Sequence, residues 1–572
     1  MIENIRHSLS HVLAMSVLEK FPKAKLGIGP VIENGFYYDF GNIKINPEDL
    51  TIFEKRMREL VKTGLKFEGK KISPSEAKKL FKNQPYKLEL IKEFSKDKKQ
   101  LTAYKSGHFI DLCKGGHIKT TKEINPDSFK LIKLAGAYWK GSEKNPMLTR
   151  IYGVAFDNKN GLEEYLKKQE EARRCDHRII GEKLELFMID DDIGKGLPLY
   201  LPNGYKIRKK LEDYIYNIEK QNGYLHVLTP HIAKEAIYLK SGHLAHYKED
   251  MYPPILIDNE RYYLKPMNCP HHHSIYKNKQ RSYKELPLRI AEFGTVYRRE
   301  MSGVVSGLIR MRGFTQNDAH IYTNEENLEK ELTSILKFHK KIYDDLNIKD
   351  YWYRLSLPDF KNKEKFGDIK NKKMWQKGSL ILKKVLKDNS YEFVEGKGEA
   401  TFYGPKIDIQ SKDLYGKEDT IATIQVDYYS ASKFNLSYID KNGKEKPAII
   451  IHRAILGSFD RFMAFLIEKT CGNLPFWLSP VQVKVLTVSE KQKEYAQKVF
   501  LELQKVGIDA SLAPFDETLG KKIREAEIKK IPYIVIIGEK ETEKNTINIR
   551  RLGKQYETTM EEFKNSLTKE LR

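Results

Sequence analysis

Four side chains of the N-terminal region have types and spacings that could activate a water molecule or bind a metal ion. His7 and His11 are four residues apart, so on a helix they point the same way. Cys113 and His117 flank a Lys-Gly-Gly turn. An HxxxH signature alone is weak, and these three imidazoles and one thiol could equally form a closed zinc site. The residues alone leave both a hydrolytic site and a metal site open.

Three segments in the middle of the sequence carry further histidines, a cysteine and arginines. They are KPMNCPHHHSIY around Cys269, RREMSGVVSGLIRMRGFTQNDAH from Arg298 to His320, and IIIHRAILGSFDRF from Ile449 to Phe462. A single arginine is normally a surface charge, and a cysteine far from two histidines is normally structural. His271, His272 and His273 are conspicuous, but three consecutive side chains of a regular element cannot converge on one ion. We interpret them as a local structural or polar patch.

The composition favours a polyanionic partner in a reducing compartment. With 101 Lys and Arg against 78 Asp and Glu, the 572-residue chain has a formal charge of +23, which predicts nucleic-acid binding. A lysine-rich solvated surface would give the same charge. The 4 cysteines show no paired spacing, which argues against a disulfide framework. No signal peptide and no run of about 20 apolar residues is found, so we expect a cytoplasmic protein without a membrane partner.

The elements that must position these residues fall into three groups. IRHSLSHVLAMSVLEKF predicts an amphipathic helix, and strand-like runs such as FYYDF, GHFIDLC and RIYGVAF then alternate with lysine-rich helices, as in an α+β domain. A charged helical linker over 161–185 leads to runs such as RYYLKP, LPLRIAEFGTVYRRE and TIATIQVDYY, which predict a large, mostly antiparallel domain. After Pro475, alternating strands and helices predict a compact βαβ-type domain.

Together the central segments and the HxxxH and CxxxH signatures resemble the threonyl-tRNA synthetases, a class II family, over essentially the whole chain. The resemblance implies an α+β multidomain fold with an editing domain and linker helix over 1–171, a class II antiparallel-sheet catalytic domain over 172–474, and an α/β anticodon-binding domain over 475–572. The family commonly has a further small domain ahead of the editing domain. Because His7 lies almost at the start, we expect that domain to be absent and both activities to be retained.

The resemblance implies ATP-dependent ligation of threonine to tRNA(Thr). Arg298, in the Tyr-Arg-x-Glu motif, would clamp the α-phosphate, because a guanidinium fork meets phosphate oxygens bidentately. Glu300 would read the adenine end, and Arg461 would contact the γ-phosphate. Mg²⁺ would accompany ATP and neutralise the departing pyrophosphate. Leu228-Thr229-Pro230 follows a long helix and resembles the dimer-interface motif, so a homodimer is implied.

The resemblance also implies one zinc ion per subunit, bound by Cys269, His320 and His452, a set that leaves a coordination position open. A metal that takes both an amine and a hydroxyl as ligands would reject valine, which an apolar pocket rejects only about a hundredfold. Asp318 would hold the amino group of the substrate. The other active-site positions implied are Gln316, Tyr403, Gln425, Ser458 and Arg310.

Serine also offers an amine and a hydroxyl and is only one methyl smaller, worth about 1–3 kcal/mol, so a second, hydrolytic site is expected. The HxxxH and CxxxH pair matches the editing site of the family, with Lys87 and Asp111 as further pocket residues. The resemblance favours hydrolysis without a metal. In the C-terminal region, Arg550 and Arg551 approximate the basic strand of the anticodon-binding domain, with a spacing that looks one residue short.

Two other functions compete with this interpretation. A non-catalytic RNA-binding regulator would keep the basic surface but lose the phosphate clamp or the zinc ligands. A free-standing hydrolase of mischarged tRNA would need only about the first 160 residues. Both motif arginines and all three zinc-ligand positions are present, and the central domain is intact, so the ligase is favoured.

Overall fold

The structure, a computed structural model, describes residues 1–362, 366, 372–401, 403–551 and 553–571. Their packing separates a first unit, Met1–Glu171, from a second unit, Ala172–Arg572. None of the helices in these ranges combines the length and the apolar character that crossing a bilayer requires.

The first unit contains two antiparallel sheets and four helices that cover them. In chain order its elements are α1 (Ile2–Lys20), β1 (Lys25–Leu26), β2 (Val31–Ile32), β3 (Gly35–Gly41), α2 (Asp49–Lys62), β4 (Glu68–Ile72), α3 (Pro74–Leu80), α4 (Pro85–Lys96), β5 (Leu101–Ser106), β6 (Phe109–Leu112), β7 (Phe129–Tyr138) and β8 (Met147–Ala155). One sheet has the order β1-β3-β8-β7, with β2 beside β3, and the other has the order β4-β5-β6. The runs around Phe36, Phe109 and Ile151 are therefore strands, as predicted.

The α1 helix is buried along most of its length rather than amphipathic. Leu9 and Val12 are completely buried, and so are Ser8 and Ser10 on its other faces. The polar side chains are accommodated by hydrogen bonds, as when the Ser10 hydroxyl donates to backbone oxygens. The prediction of an amphipathic helix is wrong because the unit closes around the polar faces of α1 as well.

The second unit begins with the end of α5 (Lys159–Cys175) and with α6 (His177–Lys183). The predicted linker is thus two helices, because Asp176 ends the first and caps the second. Cys175 forms a disulfide with Cys471, 296 residues away, at a Cα to Cα distance of 4.5 Å. The expectation of no disulfide is wrong for this pair, because the fold, and not sequence spacing, brings the ends of two helices together.

A large sheet forms the centre of the second unit. The elements up to it are β9 (Phe187–Met188), β10 (Leu199–Tyr200), α7 (Pro202–Gln221), β11 (Leu225–His226), β12 (Ile232–Lys234), α8 (Glu235–Lys240), α9 (His243–His246), β13 (Ile255–Ile257), β14 (Glu260–Leu264), α10 (Cys269–Tyr276), β15 (Arg281–Ser282), β16 (Leu288–Tyr297) and β17 (Gly313–Thr323). They are followed by α11 (Glu325–Asp345), β18 (Trp352–Leu357), α12 (Lys372–Asp388), β19 (Phe393–Lys397), β20 (Lys406–Lys412), β21 (Glu418–Asp427), α13 (Tyr429–Phe434), β22 (Ser437–Ile439), β23 (Glu445–Pro447), β24 (Ile449–Ser458) and α14 (Phe459–Thr470).

The large sheet has the strand order β11-β16-β17-β24-β21-β20-β18-β19. Its pairs are antiparallel except at the two edges, where β11 runs parallel to β16 and β19 parallel to β18. The helices α7, α11 and α14 contribute apolar residues to the buried core that supports this sheet. The predicted mostly antiparallel domain is confirmed.

The C-terminal part of the second unit has its own sheet and core. Its elements are β25 (Val483–Thr487), α15 (Lys493–Lys505), β26 (Ala510–Leu512), α16 (Leu519–Ile528), β27 (Tyr533–Ile537), α17 (Glu539–Lys544), β28 (Thr546–Arg551), β29 (Lys554–Thr559) and α18 (Met560–Glu570). The order is β26-β25-β27-β28-β29, with β25 parallel to both of its neighbours. Strands and helices alternate here as predicted.

Candidate functional site

A row of polar side chains crosses three neighbouring strands of the large sheet. His320 of β17 lies directly opposite His452 of β24, and His452 lies opposite Gln425 of β21. Residues that are directly opposite in antiparallel strands project from the same face. Because alternate residues of a strand share a face, Asp318 lies on this face as well. The sheet thus brings together four predicted site residues that are far apart in the sequence.

Cys269, the first residue of α10, completes a cluster with the two histidines. Its Sγ atom and one nitrogen from each of His320 and His452 lie within 4.8 Å of one another. The Nε2 atom of His320 is buried and has no hydrogen-bond partner among the described residues. Burial raises the pKa of Cys269 well above its ordinary value, and a bound cation would favour the thiolate. One thiolate and two imidazoles are a donor set that fits zinc.

The second imidazole of the cluster is oriented by a buried carboxylate. His452 Nε2 lies 2.9 Å from Asp427 Oδ2, and Asp427 Oδ1 accepts the backbone N–H groups of Tyr429 and Ser430. These bonds make Asp427 an acceptor, so Nε2–H of His452 donates to it. The Nδ1 atom of His452 is then the nitrogen that is left for a metal ion.

Asp318 is held by a side chain that packs closely over the sheet. The Asn268 amide donates to Asp318 Oδ2 at 3.1 Å. A Cβ atom at Gly294 would lie 2.3 Å from the Asn268 amide nitrogen, so only glycine leaves room for this side chain. Asp318 therefore keeps a fixed carboxylate at the cluster, where an ammonium group could be bound.

Gln316, Gln425 and Tyr403 lie on the same part of the sheet. Gln316 is the next residue of β17 on the Asp318 face, and the Tyr403 hydroxyl donates to the Gln425 side-chain oxygen. The Tyr403 ring lies 5.3 Å from the His452 ring. The residues predicted to bind the amino-acid substrate thus lie near the cluster of Cys269, His320 and His452.

Each of the two motif arginines follows a strand of the large sheet, Arg298 after β16 and Arg461 after β24. The guanidinium carbon of Arg298 lies 5.2 Å from the centre of the Phe314 ring. Burial lowers the pKa of Arg298. Arg310 donates to Glu300 at 2.8 Å, so these two residues form an ion pair in the segment between β16 and β17. A guanidinium group has five N–H donors in a fixed plane, a geometry that matches the oxygens of a phosphate.

Arg461 lies in the first turn of α14, where the Ser458 hydroxyl accepts its backbone N–H at 3.1 Å. Its side chain pairs with Asp419 and is partly exposed. Gly457 has a φ of 61°, and a Cβ atom there would lie 2.7 Å from the Ile421 oxygen, so the turn into α14 requires glycine. Ser458 acts as a helix cap in this structure.

The three consecutive histidines of α10 make different contacts. His272 lies between His320 and Glu292, whereas His273 contacts the Tyr322 hydroxyl. Neither ring nitrogen of His271 has a hydrogen-bond partner in the described part of the chain. The three side chains do not converge on one point, but His272 reaches a member of the cluster.

The first unit brings together the four residues of its two signatures. Cys113 Sγ lies 3.3 Å from His7 Nε2 and 3.3 Å from His117 Nε2. The ligand atoms of these residues and of His11 lie within 4.8 Å of one another. Burial lowers the pKa of all three histidines, to about 2 for His117, and raises that of Cys113 to about 11. The geometry suits either water activation or a metal ion.

A buried ion pair supports this cluster. Lys87 Nζ lies 2.5 Å from Asp111 Oδ1, and both side chains are almost fully buried. The Tyr38 hydroxyl donates to Asp111 Oδ2 at 2.6 Å, and His11 Nε2 lies 3.7 Å from the same oxygen. Lys87 and Asp111 thus lie beside the signature residues, as the resemblance implied.

A third cluster, of Asp176, His177 and Glu468, could also hold a metal by distance alone. Both ring nitrogens of His177 are already hydrogen-bonded, Nδ1 to Glu468 at 2.7 Å and Nε2 to the Leu308 N–H at 3.1 Å. Asp176 accepts from the Arg178 guanidinium. The cluster is therefore structural and joins α6 to α14.

Comparison with known proteins agrees with this architecture. The tRNA synthetase class II core domain (G, H, P, S and T) matches residues 250–470, the anticodon binding domain matches 482–570, and the threonyl and alanyl tRNA synthetase second additional domain matches 101–152. A threonine–tRNA ligase of Oceanobacillus iheyensis is 42% identical over 576 residues, covering 100% of this chain and 88% of that protein. The chain belongs to the threonine–tRNA ligase family. A member of this family from Staphylococcus carnosus is 44% identical, with the same coverage.

Solved structures support the same family and fold. A structure described as the RNA binding domain of threonyl-tRNA synthetase from Cryptosporidium parvum is 36% identical, with a TM-score of 0.65, covering 69% of this chain and 98% of that chain. A Giardia lamblia prolyl-tRNA synthetase, 18% identical with a TM-score of 0.56, covers 70% of this chain and 79% of that chain and shares the fold. The predicted family and the predicted class II fold, with its additional N-terminal and anticodon-binding domains, are confirmed.

Sequence reasoning missed several residues that contact the two candidate sites of this threonine–tRNA ligase family member. They are Asn268, His272, Glu292 and Asp427 around the central cluster, and Tyr38 beside Asp111. Only the adjacent histidines at 271–273 gave any signal in the sequence. The others lie in ordinary strand and loop segments, and only the fold reveals their contacts.

The two predicted anticodon-domain arginines lie on β28 and are both paired. Arg550 donates to Glu527, and Arg551 donates to Glu570. Because successive residues of a strand project to opposite faces, the two arginines cannot line one surface. If one face of this sheet binds RNA, at most one of the two arginines lies on that face.

Proposed function

We propose that the protein ligates threonine to tRNA(Thr) with ATP and hydrolyses mischarged seryl-tRNA(Thr) at a separate site in the first unit. The observation that carries the proposal is the cluster of Cys269, His320 and His452 beside Asp318, on the sheet of a class II core. A non-catalytic RNA-binding protein would have no need for this arrangement.

A zinc ion suits the donor set of the cluster. Cys269 would hold it through Sγ, His320 through Nε2 and His452 through Nδ1. When bound, the ion would supply a Lewis acid that takes both the amine and the hydroxyl of the substrate as ligands. Valine has the amine but no hydroxyl, so it would be rejected. Asp318, held by Asn268, would accept hydrogen bonds from the amino group of threonine. Gln316, Tyr403 and Gln425 would line the rest of the pocket.

The arginines would act on ATP and the developing adenylate. Arg298, which lies against the Phe314 ring, would donate to the α-phosphate in a bidentate manner, because the planar guanidinium fork matches two phosphate oxygens. Arg461, at the partly exposed start of α14, would contact the γ-phosphate. Glu300 would read the adenine, with Arg310 and Ser458 at the rim. Mg²⁺ would enter with ATP and neutralise the pyrophosphate that leaves.

The first unit would hydrolyse seryl-tRNA(Thr) without a metal. Neutral His7 and His117 can accept hydrogen bonds from an attacking water molecule and so orient and polarise it, and the Cys113 thiol lies between them. Water adds to the ester carbonyl, the bond from that carbon to the ribose oxygen breaks, and the proton that the water gives up ends on the ribose oxygen. His11, Asp111 and Lys87 would fix the pocket and its polarity.

We infer a division into an editing domain (1–171), a catalytic domain (172–474) and an anticodon-binding domain (475–572) that binds tRNA(Thr). The resemblance of Leu228-Thr229-Pro230 to the dimer-interface motif of the family leads us to propose a homodimer, and the Leu228 side chain, 87% exposed, would be covered by the second subunit. We place the protein in the cytoplasm, where tRNA is charged.

Amino-acid-dependent ATP–pyrophosphate exchange tests the proposal. Threonine should give the fastest exchange, serine slower exchange, and valine and proline almost none. Exchange with proline, which shares the fold family, or no exchange with any of the four amino acids would contradict the proposed activity. The second outcome would instead favour an RNA-binding protein without catalysis.

A further inference from the structure

A buried chain of hydrogen bonds extends from His320 of the central cluster to Glu292 of β16. His320 Nδ1 lies 2.8 Å from His272 Nδ1, and His272 Nε2 lies 3.0 Å from Glu292 Oε2. The three residues are 0%, 0% and 1% exposed. Buried polar atoms are almost always hydrogen-bonded, so each ring nitrogen here must be either a donor or an acceptor, and the choice for one residue determines the choice for the next.

Glu292 is the fixed acceptor at the far end of the chain. It accepts the Thr229 backbone N–H at 2.8 Å and the Thr229 hydroxyl at 2.9 Å, and Lys265 Nζ lies 3.5 Å away. Burial alone would raise the pKa of Glu292, but the bond from His272 and the charge of Lys265 outweigh it and hold the pKa at about 2. Glu292 is therefore an ionised acceptor.

An ionised Glu292 fixes the remaining donors and acceptors. His272 donates Nε2–H to the carboxylate, so its neutral ring presents Nδ1 as an acceptor. His320 then donates Nδ1–H, and its lone pair is on Nε2, the atom without a partner in the described residues. With the proton of His320 on Nε2 instead, that buried N–H would have no acceptor among the described residues, and no lone pair of the ring would face the cluster.

We infer that His272, oriented by Glu292, is a positioning residue that sets the tautomer of His320 and thereby the zinc affinity of the central cluster. The inference rests on the proposed zinc-dependent function and assigns a role that Cys269, His320 and His452 do not share. Thr229 donates to Glu292, so the same chain of hydrogen bonds connects the metal pocket to the segment Leu228-Thr229-Pro230.

Two substitutions of His272 separate its two hydrogen bonds. In His272→Gln the amide can still donate to Glu292 in place of Nε2, but no acceptor remains for His320. In His272→Asn the side-chain oxygen replaces Nδ1 and can still accept from His320. His271→Gln is the matched control, because it lies on the same helix and neither ring nitrogen of His271 has a partner in the described part of the chain.

The measurement is the dissociation constant of Zn²⁺ for the full-length protein, by competition with a chromophoric chelator, together with the KM values for threonine and ATP in exchange. His272→Gln should weaken zinc binding about 10–100-fold and raise the threonine KM, with the ATP KM unchanged. His272→Asn should recover most of the zinc affinity, and His271→Gln should match wild type.

Wild-type zinc affinity in His272→Gln, or equal losses in the Gln and Asn variants, would overturn the inference while leaving the proposed zinc site intact. A wild-type protein that binds no zinc at the cluster would overturn the proposed site itself. If His272→Gln does not fold, Glu292→Gln replaces it. Its neutral amide no longer fixes the His272 proton, so the same loss of zinc affinity is expected, and unchanged affinity would again overturn the inference.

Discussion

The Sγ atom of Cys113 lies 3.3 Å from the Nε2 atom of His117. Burial holds this pair as a neutral thiol and a neutral imidazole, because it raises the pKa of the cysteine to about 11 and lowers that of the histidine to about 2. A thiolate nucleophile is therefore disfavoured. The contact instead suits a site that binds and polarises a water molecule.

Cys113→Ala should abolish proofreading and leave synthesis intact. The thiol lies between two imidazoles of the first unit, whereas the central cluster belongs to the second unit. Hydrolysis of pre-formed seryl-tRNA(Thr) should slow to near the spontaneous rate, and threonine-dependent exchange in the same preparation is the control. If the variant, or His7→Ala with His11→Ala, clears seryl-tRNA as fast as wild type, the editing site lies elsewhere.

The pH dependence of editing should lack the inflection that an ordinary histidine gives near pH 6.5. Burial lowers the pKa of His7, His11 and His117, so their neutral, proton-accepting forms persist to lower pH and are lost only below the ordinary histidine range. The check is the enzymatic rate of seryl-tRNA hydrolysis between pH 5.5 and pH 7.5, which should be nearly flat. A tenfold fall across pH 6.5 that His117→Asn removes would contradict this expectation.

Lys87→Met should destabilise the first unit strongly. The substitution leaves the Asp111 carboxylate buried without its cation, a change that typically costs about 3–5 kcal/mol. Thermal unfolding of the full chain should show an early transition that is absent from wild type. Adding Asp111→Leu removes the stranded charge and should recover part of the loss. A double variant less stable than Lys87→Met would show that Asp111 does not carry the effect.

Cys269→Ser should lower the zinc content from about one ion per subunit and abolish threonine activation, because the hydroxyl is a poor replacement for a thiolate ligand. Metal analysis of the purified protein measures the first effect and exchange the second. Cys113→Ala is the matched control and should keep its zinc. Two ions per subunit in wild type, with one lost in Cys113→Ala, would instead make the first-unit cluster a zinc site.

Arg298→Lys should lose exchange rate although it keeps the charge. A lysine ammonium cannot make two parallel hydrogen bonds to phosphate oxygens, as the planar guanidinium can. A loss of about 100-fold in kcat is expected, the scale found when one transition-state donor is removed. Near wild-type kcat would refute the bidentate role. Arg299→Lys, at the exposed neighbouring position, is the control and should be unaffected.

The sequence predicted the elements of this protein better than the contacts between them. The runs around Phe36 and Val485 became strands because alternation and turn residues are local signals. The approach of Cys175 to Cys471 depends on how two helices pack, which no local pattern contains. The burial of Ser8 has the same origin, because its partners His117 and Ile118 lie more than 100 residues away in the sequence.

The candidate site shows the same division. His320 and His452 could be selected only through the family resemblance, since more than 100 residues separate them, and their register pairing explains their proximity. Glu292 gave no signal, because a single acidic residue in a strand normally faces solvent. Its burial against His272 and Thr229 follows from the packing of α10 on the sheet.

His320 and His452 face each other because they are direct partners in the pairing of β17 with β24. This pairing determines where a residue can be inserted or deleted without separating them. A residue inserted into the connection between β20 and β21 lengthens that connection and leaves the strand pairing unchanged. One residue deleted inside β17 or β24 turns every later side chain to the opposite face and separates the imidazoles. The site can therefore accept a change of length in a connection that carries no site residue, whereas within these two strands ahead of the histidines it can accept only substitution.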